Sequence, residues 1–151
     1  MKYALRTVEW RFKKVEEPLP ELSNKSAVVV KSPKDIFENY RSLFIDKVRE
    51  RFIVFWLDTS GKVTGFDLVS EGTLDASLVH PREVFRGAIV ATASSVILAH
   101  NHPSNSLEPS KQDIQITRQL VEAGNVIDIQ VKDHIIFVHD TYTSFADRGL
   151  I

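Results

Sequence analysis

The sequence VILAHNHPSNSLEPSKQD occupies residues 96–113 and divides into three parts of different character. Val96 to Ala99 is a short apolar run, which predicts a buried strand. Residues 100–109 are polar and contain two prolines, which is typical of a loop. We expect a helix to begin near Ser110 and to end at Gly124. This stretch therefore predicts a strand, a loop and a helix in succession.

Upstream of this stretch, the pattern predicts a helix followed by a hairpin. Ser32 and Pro33 suit the N-cap and the first helical position, and an acidic residue follows in the first turn. Apolar residues then recur at helical spacing, and we expect this helix to extend to about Arg49. Residues 52–57, FIVFWL, form a continuous apolar run that is typical of a strand buried on both faces. Residues 63–69 follow a glycine-containing turn and predict the returning strand of the hairpin.

The remaining segments complete a mixed order of strands and helices. A short strand is expected at residues 28–30, and a second helix opens at Pro81. Two final strands are predicted at residues 126–131 and 134–138. This order predicts an α/β or α+β sandwich around a single sheet.

The composition is that of one ordinary globular domain. The chain has 151 residues, of which 43% are hydrophobic and 26% charged, and this size and balance support one buried core. We assign residues 28–151 to that domain. Residues 1–27 are expected to form an N-terminal strand and a polar connector.

Charge and cysteine content limit the classes of function. The net charge is -1, from 19 Lys and Arg against 20 Asp and Glu, so a nucleic-acid partner lacks the basic excess that usually supports it. The absence of cysteine excludes disulfides, thiol nucleophiles and thiolate metal ligands. The sequence has no secretory signal and no run of about 18 apolar residues, so we expect a cytoplasmic protein without membrane association.

Two histidines and one aspartate have the spacing of a metal site. His100 and His102 lie two residues apart at the end of the predicted strand, so their side chains point the same way. Asp113 follows after ten residues, in the first turn of the next helix. Two imidazoles and one carboxylate leave a fourth tetrahedral position for water, as a catalytic zinc site requires. Bound zinc lowers the pKa of that water to about 7, which makes hydroxide available at neutral pH.

Such a hydrolase also needs a carboxylate that does not bind the metal and that moves protons to and from the reacting groups. Glu50 is our candidate, since it lies at the junction between the long helix and the buried strand at residues 52–57. Glu71 is the rival. A solvated glutamate at a helix end is the competing interpretation of Glu50.

Several stretches around these residues resemble the RadC-like JAB domain of the JAMM/MPN metalloprotease superfamily. They are ERF (50–52), LDTSGKV (57–63), SEGTLDASLVHPREVFR (70–86), ILAHNHPSNSLEPSKQD (97–113) and DHIIF (133–137). The family pattern is an upstream glutamate, His-x-His, ten residues and an aspartate, with a serine three residues before the aspartate. Here these residues are Glu50, His100, His102, Asp113 and Ser110. The resemblance covers about residues 28 to 147.

The resemblance implies the JAMM fold, which is α/β with a mixed central sheet flanked by helices. It also implies a zinc ion and metallopeptidase or isopeptidase chemistry on a peptide or protein substrate. In this interpretation Glu50 acts as general base and then as general acid, and Ser110 stabilises the developing oxyanion. Full-length RadC proteins carry an upstream helix-hairpin-helix region. This sequence has only about 30 residues before the domain, so we expect a DNA role to be further disfavoured.

Simpler structural roles compete with several of these assignments. Ser110-x-x-Asp113 is also the pattern of a helix N-terminal cap, and the two roles can coexist. Asp133-His134 could line the site, but we favour a structural pair. We expect His80 to lie at a helix start and His139 at the surface.

Two other function classes remain open. The first is a metal-dependent hydrolase acting on DNA in a RadC-type repair role, which a basic groove beside the metal would indicate. The cations available for such a groove are Arg82, Arg86, Lys111 and Arg118. The second is a non-catalytic binding module, which would be favoured if Glu50 pointed away from the site. Tyr3, Trp10 and Phe12 could form a homodimer or partner surface, although we favour packing on the domain's own sheet.

Overall fold

A computed structural model describes residues 28–44, 48–72 and 79–151. The strand and connector predicted in residues 1–27 lie outside the described residues. The helices are α1 (Pro33–Tyr40), α2 (Pro81–Val90) and α3 (Lys111–Val126), and a 3-10 helix at Arg41–Leu43 continues α1. The strands are β1 (Glu50–Leu57), β2 (Val63–Gly72), β3 (Ser95–Asn101), β4 (Gln130–Phe137) and β5 (Tyr142–Ser144). None of these helices has both the length and the apolar character needed to cross a membrane.

The five strands form one mixed sheet in the order β2-β1-β3-β4-β5. β3 and β4 are parallel, with α3 in the connection between them, and the other neighbouring pairs are antiparallel. Parallel neighbours need such a crossover, which is why a helix separates β3 from β4 in the sequence. The predicted α/β domain with a mixed central sheet is confirmed.

Helices cover the sheet on both faces, and alternate residues of each strand face opposite cores. Ile53, Phe55 and Leu57 of β1 pack on the side of α1. Phe52 and Val54 pack on the side of α2 and α3. The continuous apolar run of β1 is thus explained by burial on both faces.

The start of α1 agrees with the sequence, but its end does not. The Asp35 carboxylate accepts the backbone N–H of Ser32 at 2.8 Å, as the predicted start requires. The prediction that this helix extends to about Arg49 is wrong, because the α-helix ends at Tyr40 and tightens into the 3-10 turn. After that turn, Phe44 stacks on Phe137 of β4 with ring centroids 4.1 Å apart.

The prediction of two final strands at residues 126–131 and 134–138 is also wrong. α3 continues past Gly124 to Val126, and the chain then turns through Asp128, whose φ is 57°. A single strand follows at residues 130–137. Gly124 is needed for close packing rather than as a helix end, because a Cβ there would lie 2.5 Å from the carbonyl oxygen of Ile129.

Candidate metal centre

The three predicted ligands converge where β3 ends and α3 begins. His100 is the last residue but one of β3, His102 follows the strand directly, and Asp113 is in the first turn of α3. The two histidine Nε2 atoms lie 2.9 Å apart. The Asp113 Oδ1 atom lies 3.3 Å from His100 Nε2, and its Oδ2 atom lies 3.3 Å from His102 Nε2. The side chains of His100 and Asp113 are buried, and that of His102 is 10% exposed.

This donor set fits a metal ion. One ligand atom from each of the three residues can be chosen so that all lie within 4.8 Å of one another. Two imidazole nitrogens and one carboxylate oxygen form a set that suits divalent transition metals such as zinc. The group His100, His102 and Asp113 can therefore hold a metal ion.

The loop between the ligands orients His102. Its Nδ1 atom lies 2.8 Å from the backbone carbonyl of Ser106, which can only accept a hydrogen bond. Nδ1 therefore carries a proton, and neutral His102 presents its Nε2 lone pair to the site. Two further contacts hold the loop, since Thr143 donates to the Leu107 carbonyl and Arg148 pairs with Glu108.

Ser110 caps α3 and orients Asp113. The Asp113 Oδ2 atom accepts the Ser110 backbone N–H at 2.7 Å, and Ser110 Oγ accepts the Asp113 backbone N–H at 3.0 Å. This reciprocal pair is a capping box. The predicted capping role is thus present, and a hydroxyl that accepts one bond keeps its own proton for donation.

Charges within the cluster shift two pKa values in the metal-free protein. Burial raises the pKa of Asp113, but hydrogen bonds from His100 and His102 outweigh it and hold the pKa far below its ordinary range. Burial lowers the pKa of His102, but Asp113, the Ser106 carbonyl and the charge of Glu50 together raise it above its ordinary value. The site thus keeps Asp113 ionised, as a metal ligand must be.

Glu50 lies close to this centre on the same face of the sheet. It is the first residue of β1, and continuation of the register that pairs Phe52 with His100 brings it opposite His102. Its charge acts on His102, in agreement with that placement. Glu50 also lines an open groove of about 550 Å³, whose described lining includes Pro103 and Ser104.

The side chain of Asn101 fixes the backbone on both sides of Glu50. Its Oδ1 atom accepts the N–H of Arg51 at 2.7 Å, and its Nδ2 atom donates to the carbonyl of Arg49 at 3.1 Å. Asn101 is buried between the two histidine ligands in sequence. The segment that carries the ligands therefore also determines where Glu50 lies.

Glu71 faces away from the metal ligands. It pairs with Arg51 across β1 and β2, with its Oε1 atom 3.1 Å from Arg51 Nη2. The Arg51 guanidinium also donates to the Leu43 carbonyl, on the α1 side of the sheet. Since successive strand residues point to opposite faces, Glu50 and Arg51 lie on different sides. The geometry thus places Glu50, and not Glu71, on the side of the predicted metal ligands.

His134 lies directly behind His100. The His100 Nδ1 and His134 Nε2 atoms are 2.7 Å apart, and His134 Nδ1 is 2.6 Å from Thr117 Oγ1. Burial lowers the pKa of His134 well below its ordinary value, so the ring is neutral. Its neighbour Asp133 bonds elsewhere, to the Ser144 hydroxyl and to backbone N–H groups. Asp133 has a structural role, whereas His134 contacts His100, one of the predicted ligands.

The roles of Asn101 and Thr117 depend on long-range pairing, so no local sequence pattern predicts them. The cations considered for a DNA groove do not line the groove beside Glu50, whose described lining residues are Val48, Arg49, Glu50, Gly72, Pro103 and Ser104. Arg82 and Arg86 instead pair with Glu83. Arg49 is the single cation among these described lining residues, and it is adjacent to the acidic Glu50.

Comparison with known proteins gives one family. The sequence profile of the RadC-like JAB domain matches residues 30–150. A UPF0758 protein from Methanosarcina mazei is 40% identical over 137 residues, which is 91% of this chain and 56% of that protein. A UPF0758 protein from Symbiobacterium thermophilum is 49% identical over 120 residues, which is 80% of this chain and 51% of that protein. The chain thus spans about half the length of the curated relatives it matches.

Proposed function

From the premise that this chain belongs to the RadC-like JAB domain family, we propose that it is a zinc-dependent hydrolase that cleaves a peptide or isopeptide bond. One observation carries the proposal. The Nε2 atoms of two histidines and a buried carboxylate converge at a strand end beside a groove lined by Glu50. A non-ligand carboxylate beside three ligands is the arrangement that metal-assisted hydrolysis requires.

His100, His102 and Asp113 would hold the zinc ion and leave one position for water or substrate. Zinc bound there supplies a Lewis acid and lowers the pKa of a coordinated water to about 7. Two of the three side chains are oriented before any ion binds, because the Ser106 carbonyl orients His102 and the capping box orients Asp113. Such preorganisation lowers the cost of assembling the site.

Glu50 would move the protons of the reaction. Its carboxylate takes a proton from the attacking water and then donates it to the nitrogen of the leaving amine. The groove lined by Glu50 and residues 103–104 is open to solvent, so a substrate chain has access to the carboxylate. Glu71 is assigned no proton transfer, since it is held by Arg51 on the opposite face.

Ser110 would stabilise the oxyanion. Its Oγ atom already accepts the Asp113 N–H, so its own hydroxyl proton is the group available to a substrate oxygen. A donor placed where negative charge develops lowers the barrier more than one that binds the ground state. Ser110 thus combines the cap of α3 with a catalytic contact.

The first experiment measures zinc by mass spectrometry after dialysis of the wild type and the variants His100→Ala and Asp113→Ala. The matched control is His139→Ala, since His139 is exposed and pairs with Asp140. We expect about one zinc per chain in the wild type and in the control, and loss in both ligand variants. A wild type that binds no zinc after reconstitution would overturn the proposal in favour of a binding module.

The second experiment measures turnover of a quenched fluorescent peptide library and of a Gly–Lys isopeptide substrate. Glu50→Gln should abolish turnover while zinc content is retained, because the amide cannot accept the proton. Glu71→Gln is the matched control and should keep activity. Cleavage of a DNA duplex by the wild type with no peptide turnover would favour the DNA-hydrolase alternative.

A further inference from the structure

We infer that His134 and Thr117 form a buried positioning relay that fixes the tautomer of His100 and so presents its Nε2 atom to the metal. The relay has three links between atoms. Thr117 Oγ1 lies 2.6 Å from the Asp113 carbonyl, Thr117 Oγ1 lies 2.6 Å from His134 Nδ1, and His134 Nε2 lies 2.7 Å from His100 Nδ1. It therefore begins at one ligand residue and ends at another. The inference rests on the proposed metal site.

The direction of the relay follows from counting protons. The Asp113 carbonyl can only accept, so the single hydroxyl proton of Thr117 is donated to it. Threonine within a helix commonly makes this bond to the carbonyl four residues earlier. Thr117 Oγ1 must then accept from His134, which places a proton on His134 Nδ1.

The same count of protons determines which ring nitrogen of His100 donates to His134. His134 is fully buried, and among the described residues its ring nitrogens bond to Thr117 and His100 and to no carboxylate. A neutral imidazole carries a single ring proton, and the bond to Thr117 places that proton on His134 Nδ1. His134 Nε2 therefore accepts, and His100 Nδ1 is the donor. The remaining nitrogen of His100, Nε2, lies 3.3 Å from Asp113 Oδ1 and is the nitrogen left to bind the metal.

The packing around the relay restricts it to one arrangement. The His134 ring stacks on Phe145 at 4.6 Å and meets Phe52 edge-on at 5.5 Å, so it is held between two aromatic rings. Thr117 is buried in α3. A histidine ligand usually donates its second nitrogen to a carboxylate, a backbone carbonyl or water. Here a second imidazole takes that place and connects the sheet to α3.

The first test is a long-range nitrogen–proton NMR spectrum of the histidine rings in the metal-free protein. We expect His100 and His134 each to carry a proton on Nδ1, with the His134 Nε2 atom unprotonated. A proton on His134 Nε2, with His100 Nδ1 unprotonated, would overturn the inference. This result is independent of zinc binding and of hydrolysis, so failure of the proposed function and failure of the relay can be distinguished.

The second test measures zinc affinity by competition with a chromophoric chelator. Thr117→Val removes the acceptor for His134 at nearly constant volume and should weaken zinc binding about 10- to 100-fold. Thr117→Ser keeps the hydroxyl and should restore most of the affinity, a rescue that a role in packing alone would not predict. Thr141→Val, at an exposed position, is the control. Equal affinity of Thr117→Val and wild type would overturn the inference, and circular dichroism confirms that each variant is folded.

Discussion

The side-chain amide of Asn101 is hydrogen-bonded to the residues on both sides of Glu50. Its oxygen accepts from the N–H of Arg51, and its nitrogen donates to the carbonyl of Arg49. Asn101 itself separates the two histidine ligands in the sequence. One buried side chain therefore couples the position of the proposed general base to that of the proposed metal ligands.

Replacement of Asn101 by alanine should lower turnover more than metal binding. Displacement of a catalytic group by about 1 Å costs about 100-fold in rate, and we expect a fall in kcat of about that size with zinc content retained. The unpaired Arg51 N–H should also reduce the free energy of unfolding by about 1–3 kcal/mol. The measurements are kcat, zinc content and urea denaturation, with the exposed Asn125→Ala in α3 as the control. Loss of zinc in parallel with activity would show that Asn101 holds the ligands rather than Glu50.

Two substitutions at Ser110 separate its cap role from its proposed catalytic role. Ser110→Ala removes the cap bond to the Asp113 N–H and should cost about 1 kcal/mol of stability, whereas glycine at an N-cap costs only a few tenths. Both variants lack the hydroxyl, so both should lose about 100- to 1,000-fold in kcat. Thermal melts and kcat measured on the same samples check this. If kcat followed stability, with glycine near wild type, Ser110 would be a cap alone.

The sequence predicted those parts of the site that are close together along the chain. The spacing of His100, His102 and Asp113 was sufficient to predict that these side chains converge, because a strand end and the next helix start meet across a short loop. The cap at Ser110 was also local. The preference for Glu50 over Glu71 as the proposed general base could not be predicted locally, because it depends on the cross-strand pairing of Arg51 with Glu71.

Long-range packing also explains what the sequence pattern missed in the fold. Helical spacing continues past Tyr40, but the stacking of Phe44 on Phe137 depends on a strand more than 90 residues away. Residues 132–133 lie between the two predicted final strands, yet Ser144 and backbone N–H groups satisfy the Asp133 carboxylate inside one strand. The parallel register that pairs Leu98 with His134 brings that ring behind His100, and hydrophobic periodicity carries no information about it.

Gly124→Ala should destabilise the protein although alanine favours helix. In an exposed helix interior the change gains about 1 kcal/mol. Here the new Cβ would lie 2.5 Å from the Ile129 carbonyl oxygen, a backbone atom, and 3.1 Å from the Phe85 ring. We expect a net loss of about 1–3 kcal/mol, which is typical of overpacking. Urea denaturation measures it, and Asn125→Ala, one residue further along α3, should be neutral or stabilising. A more stable Gly124→Ala variant would contradict the close approach of Ile129 and Phe85 to α3.

Asp133→Asn should stabilise the protein increasingly as the pH rises. Burial raises the pKa of Asp133 above its ordinary value, despite hydrogen bonds from Ala146, Ser144 and His134. When the pKa of an acid is raised in the folded state, the acid contributes fully to the free energy of unfolding below its unfolded-state pKa, which is about 4 for aspartate. That contribution is lost as the pH rises through the folded-state pKa. Asparagine can keep the same contacts, because its oxygen accepts the two backbone N–H groups and its amide can donate to the Ser144 hydroxyl. The variant and the wild type should therefore be closest in stability below about pH 4 and diverge above it, in favour of the variant. Urea denaturation of both proteins from pH 4 to pH 7 measures the difference, and a difference that stayed constant with pH would show that Asp133 is ionised in the fold at no cost.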